Sequence, residues 1–98
     1  MKARRKSSQK LLLIIMNINY LETVFKHAKS QGLDVCIEVT IPNQDDTEYI
    51  INRNESIENK LSYYKKVYDE KLVHKNCKDI KIVGIKKINF TEVMKNEY

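Results

Sequence analysis

The sequence predicts an α+β domain in which two helices pack on one face of an antiparallel sheet of three to four strands. Three patterns carry this expectation: strict apolar alternation over residues 33–41, and two apolar stripes at helical spacing over residues 20–28 and 57–72. Counting a short apolar run at residues 10–16 as a strand, the order becomes strand–helix–strand–strand–helix–strand. That is the split, ferredoxin-like βαββαβ plan. If residues 10–16 are instead helix or tail, three strands and two helices remain, and the class is unchanged.

Each element has a local reason. Residues 1–9 are charged and Ser-containing without periodicity, the pattern of a disordered basic arm, which leaves 10–98 as a single domain. Leu11, Leu12, Leu13, Ile14, Ile15 and Met16 run without a polar break, as in a strand covered on both faces. Asn17 or Asn19 is suited to cap the next helix, whose stripe is Tyr20, Leu21, Val24, Phe25 and Ala28. Gly32 stops it, with Leu33 placed for a Schellman contact. Leu33, Val35, Ile37, Val39 and Ile41 then alternate with Asp34, Cys36, Glu38 and Thr40, a strand with one buried and one wet face. Pro42 ends it, residues 43–47 have turn chemistry, and residues 48–52 return as the second arm of a hairpin.

The second helix is expected to open near Asn54 or Ser56, with Glu55 and Glu58 in its first turn. Its stripe of Ile57, Leu61, Tyr64, Val67, Tyr68 and Leu72 extends over about five turns. Lys71, His74 and Lys75 then fall towards its C-terminal end, and residues 76–79 form a connection. Ile80, Ile82, Val83, Ile85 and Ile88 make a last strand whose alternation slips at Gly84, the signature of a bulge. Phe90, Val93 and Met94 allow one terminal helical turn.

Composition excludes more functions than it supports. The chain has 98 residues and a net charge of +5, with 18 basic and 13 acidic residues. Lys2, Arg4, Arg5, Lys6 and Lys10 account for all of the surplus, so the body from residue 11 onward is neutral. A basic arm on a neutral domain is a different object from a basic surface. Two cysteines, Cys36 and Cys77, are too few for a disulfide framework and suit a reduced cytoplasmic protein. The six apolar residues after the arm are too few for a signal-peptide core, and no run approaches a membrane span.

The candidate chemistries are weak. His27, Cys36, His74 and Cys77 lack the two close ligand pairs of a structural zinc site. Cys77 follows His74 by three residues, with Lys75 and Lys78 nearby, yet no oxyanion loop or orienting acid accompanies them. Asp45, Asp46 and Glu48 sit where a hairpin tip is expected, which provides no burial to separate their pKa values. Gly32 and Gly84 stand alone, so no phosphate-cradling loop exists. The expectation is therefore a non-enzymatic chain with no cofactor and no metal.

Binding remains. Tyr63 flanks the stripe of the second helix and widens its aromatic surface; Tyr63, Lys66 and Glu70 are the candidate protein-contact residues. Open strand edges offer pairing with another chain, so a homo-oligomeric structural module is a further reading. The alternative partner is nucleic acid, bound through Lys2, Arg4, Arg5, Lys6 and Lys10 by counterion release.

Residues 50–52 leading into residues 60–70, then Ile80-Lys81-Ile82-Val83-Gly84, with Asn19-Tyr20-Leu21-Glu22 and Glu38-Val39-Thr40-Ile41-Pro42, resemble small uncharacterised proteins of phages and prophages of low-GC Gram-positive bacteria. The resemblance covers about residues 16–90 and rests on packing and capping residues. It implies a small cytoplasmic accessory protein that binds a macromolecule, a protein before nucleic acid, in interference with a host process such as defence. It also implies a start at Met16, with residues 1–15 upstream of it.

Overall fold

The first helix begins where the sequence marks it. The structure, a computed structural model, describes residues 16–90. Helix α1 spans Ile18–Gln31; Asn17 caps it by accepting a hydrogen bond from the Tyr20 N–H at 2.9 Å. Gly32 closes it in the left-handed region at φ 71°, and the Leu33 N–H reaches back to the Ala28 carbonyl, the Schellman geometry. This tight turn delivers the chain into β1, Asp34–Thr40, which pairs with β2, Thr47–Asn52, through an uninterrupted antiparallel register from Val35↔Asn52 to Thr40↔Thr47.

A 3-10 turn at Asn54–Ser56 opens α2, Ile57–Val67. The stripe at Tyr68 and Leu72 suggested a longer helix, but the helix ends at Val67 because the next residues satisfy their backbone elsewhere. Tyr68 is extended and bridges to His74, and the Asp69 carboxylate accepts from the Lys71 and Val73 N–H groups. Leu72, at φ 68°, turns its fully buried side chain into the core from a loop. Lys71 therefore lies in that loop and Lys75 in a hairpin turn. His74 belongs to β3, Val73–His74, a strand the sequence did not announce. The expected connection at residues 76–79 already belongs largely to β4, which runs Cys77–Ile88.

The sheet order is β2-β1-β4-β3. The element order among the described residues is αββαββ, which replaces the ferredoxin-like expectation. In that plan the strand before the first helix helps to separate β1 from the last strand. Here β1 and β4 are hydrogen-bonded neighbours, from Asp34↔Ile88 to Val39↔Ile82. The run 10–15, the basic arm, Val93 and Met94 lie outside the described residues. The Gly84 slip is present: Glu38 faces Gly84 and Val39 faces Ile82, so Val83 is the extra residue.

Both helices bring apolar stripes to the core. Leu21, Phe25 and Ala28 of α1 and Ile57 and Tyr64 of α2 meet Val35, Ile37, Val39 and Ile82, all at most 4 % exposed. Burying each large side chain contributes about 1.5–3 kcal/mol. The core also holds a polar cluster. Asn52 is fully buried, donates to the Val35 carbonyl, and accepts from the Tyr64 hydroxyl at 3.2 Å. Asn54 donates to the Ala28 and Leu33 carbonyls, tying the start of α2 to the end of α1.

Asp34 was expected on the wet face and is instead buried, because two backbone N–H groups need its carboxylate. Its oxygens accept from Asn54 at 2.8 Å and Phe90 at 3.0 Å, with Arg53 at 3.5 Å. The turn before α2 and the chain after β4 are both fastened to this one side chain.

Candidate docking face

The sheet has a second face, and none of the described residues covers it with a helix. Alternation along β1 sends Cys36, Glu38 and Thr40 to this side, opposite Val35, Ile37 and Val39. The register then builds two rows across three strands. One row is Tyr49–Glu38–Gly84 and the other is Ile51–Cys36–Lys86. A shallow groove of about 360 Å³ follows them, lined by Cys36, Glu38, Tyr49, Gly84, Ile85 and Lys86. Tyr49 is 65 % exposed at its rim, and Val83, the bulged residue, is 39 % exposed.

The groove exists because Gly84 has no side chain. A Cβ there would sit 3.0 Å from Glu38 Oε1 and 3.2 Å from Glu38 Cβ. The carboxylate is held in place by the Thr47 hydroxyl, which donates to Oε2 at 2.6 Å. Lys86 is exposed and makes no ion pair among the described residues. Burial pushes the Cys36 thiol above its ordinary range, and the nearby Glu38 carboxylate pushes it the same way, against Lys86. At neutral pH this sulfur is a protonated, weakly polar lining atom, not an activated thiolate.

His74 and Cys77 are direct register partners across the β3–β4 turn. However, His74 Nδ1 accepts from the Asn76 N–H at 3.0 Å, and its ring packs edge-on against Tyr68. His27 is exposed on α1, and no group of three His, Cys, Asp or Glu side chains gathers among the described residues. Asp45, Asp46 and Glu48 are exposed at the hairpin.

Tyr63 is 47 % exposed on α2, packs edge-on against Tyr64, and has Lys60 Nζ 5.9 Å from its ring centre. Lys66 is exposed on the same helix. Glu70 falls beyond the helix end, where its backbone carbonyl accepts from the Ile18 N–H. The three therefore do not share one helical face. Lys2, Arg4, Arg5, Lys6 and Lys10 lie outside the described residues.

The groove residues escaped the sequence reading. Their one signal was the slip at Gly84 opposite a strand of polar alternates, which becomes a place only once the β1–β4 register is known. No helix among the described residues is long and apolar enough to cross a membrane. Comparison with known protein families, with curated proteins and with solved structures finds no match to the chain.

Proposed function

We propose that this chain is a non-enzymatic binding module whose partner is another protein, held on the sheet face that no helix among the described residues covers. The observation that supports it most is the exposed Tyr49 ring beside a groove floored by Gly84. Rigid aromatic groups at the edge of a concave, partly apolar patch are favoured contact anchors. The groove fits a segment that lowers an apolar side chain onto Gly84 and offers a carboxylate to Lys86, which has no ion-pair partner among the described residues. Glu38, already engaged by Thr47, disfavours acid at the other side. The raised Cys36 thiol argues against nucleophilic use of the same face.

The resemblance to small phage and prophage proteins supports a cytoplasmic accessory role, acting by interference with a host process such as defence. Nucleic-acid binding through the basic arm is the alternative. A co-purified partner, once isolated, is titrated with the wild-type chain and with Tyr49→Ala, Lys86→Glu and an arm variant carrying glutamine at Lys2, Arg4, Arg5, Lys6 and Lys10. Docking on the sheet face weakens binding at least about tenfold in the first two variants and leaves the third unchanged. DNA or RNA binding that falls steeply with salt and vanishes in the arm variant would replace this reading with the alternative.

A further inference from the structure

The two lateral edges of the sheet are not alike. One ends in β3, only two residues long, beside a β4 that carries a bulge at Val83 and lysines at 78, 81, 86 and 87. Short edge strands, bulges and lysines are the devices that keep a sheet from pairing with another chain. The opposite edge is β2, six residues in unbroken register with β1, without proline, lysine or bulge. Its outward N–H and C=O groups have no strand partner among the described residues.

The residues of β2 are self-complementary in one antiparallel register. Residues directly opposite in such a pair share a face, so a partner sum must be even for both copies to keep their helices on one side. Centred on Ile50, the pairs are Ile50 with Ile50, Tyr49 with Ile51, and Glu48 with Asn52 of a second copy. Every apolar side chain then meets an apolar one, and no like charges oppose. Centred instead on Tyr49, Glu48 meets Ile50; centred on Glu48, two carboxylates face each other. Aromatic to β-branched cross-strand pairs are the favoured kind.

We infer that a second copy of this chain pairs along β2 in the Ile50-centred register, giving a twofold dimer with one continuous sheet. The axis stands perpendicular to the sheet, so the contact is isologous. The two faces opposite the helices become one, with Tyr49 of each copy beside Ile51 of the other. A six-residue edge lies at the small end of interface size, below about 1,200 Å². Association is therefore weak and concentration-dependent. The dimer does not require the protein partner proposed above, although Tyr49 serves both contacts; the wild-type concentration series, run without a partner, tests the dimer alone.

Sedimentation equilibrium of the full chain over a concentration series tests it. The expected mass rises from 11.6 kDa towards twice that value. Tyr49→Lys with Ile51→Lys sets lysine opposite lysine twice and holds the chain monomeric. Tyr49→Lys with Ile51→Glu sets opposite charges across the same positions and restores the dimer. Circular dichroism establishes that both variants remain folded, which the exposure of Tyr49 favours. A wild-type chain that stays monomeric throughout overturns the inference. So does a lysine pair that still dimerises, or a charge pair that fails to restore association, since either removes the contact from this register.

Discussion

The two faces of β1 are cut from alternate residues of one short strand, yet they have opposite characters. Val35, Ile37 and Val39 are at most 4 % exposed, closed over by both helices. Cys36, Glu38 and Thr40, one residue away in each case, are half-buried under no helix among the described residues. On the helix side even the polar groups are settled, and no buried side-chain nitrogen or oxygen lacks a partner among the described residues. The comparison teaches that folding free energy is concentrated on one side of the sheet. On the other side Cys36 can vary with little effect on stability, whereas Asp34 and Thr40 hold backbone groups of neighbouring segments.

The sharpest way to break the comparison is to truncate neighbours. Ile37→Ala removes a fully buried branched side chain and should cost about 2–5 kcal/mol. Cys36→Ala, the adjacent residue on the other face, should cost less than about 1 kcal/mol. Chemical denaturation of the two variants reads the difference directly. Equal losses would mean that the open face is as heavily committed to folding as the core.

Tyr64 allows a pH test of the buried side. Its ring packs against Phe25 and Tyr68, and its hydroxyl donates to Asn52. Burial pushes its phenol up to about 12. The folded chain thus keeps this proton where the unfolded chain, near the ordinary value of about 10, has lost it. Stability is intact below about pH 10 and falls as pH rises towards 12, by about 2–3 kcal/mol. Urea denaturation of the wild type and of Tyr64→Phe across that interval isolates the effect, since the phenylalanine variant lacks it. At neutral pH the same variant strands Asn52 Oδ1 and loses about 1–3 kcal/mol.

Gly84 is a place where the open face should resist change. Its added methyl would press on Glu38 Cβ, a backbone-anchored atom that cannot swing aside. Gly84→Ala should cost about 1–3 kcal/mol by forcing β1 and β4 to shift. Gly32→Ala meets no atom within 4 Å and suffers only the strain of φ 71°, about 1–2 kcal/mol. Thermal melts in which Gly84→Ala is neutral would show that the groove floor is looser than the register implies.

Local chemistry explains which parts were legible. Asn17, Gly32 and the alternation through Val35, Ile37 and Val39 act within a few residues of themselves, and the strand Asp34–Thr40 falls inside the span the alternation marks. Gly84 was recognisable as a slip because a bulge breaks period two within a single strand. Tyr68 and Leu72 misled because a loop buried them at the same spacing a helix would have used. Asp34 misled because its partners, Asn54 and Phe90, lie 20 and 56 residues away. The strand order depended on which edge β4 joined, a long-range choice that periodicity does not record. The groove inherits that limit, since its two rows exist only in the β2–β1–β4 register.

The smallest expected effect separates two tyrosines that look alike in sequence. Tyr63 and Tyr49 are both substantially exposed, but their surroundings differ. Tyr63 leans edge-on against Tyr64, 5.2 Å between ring centres, with Lys60 above its face. Edge-to-face pairs contribute about 0.5–1.5 kcal/mol beyond area, so Tyr63→Ala should lower stability by about that amount. Tyr49 has no aromatic or cationic neighbour among the described residues, and Tyr49→Ala should change stability by less than about 0.5 kcal/mol. Paired denaturation curves check both values. Should Tyr49→Ala prove the more costly, its ring serves the fold and the open face loses its best contact anchor. Should it prove silent, the exposed ring contributes little to the fold, as the proposed contact role requires.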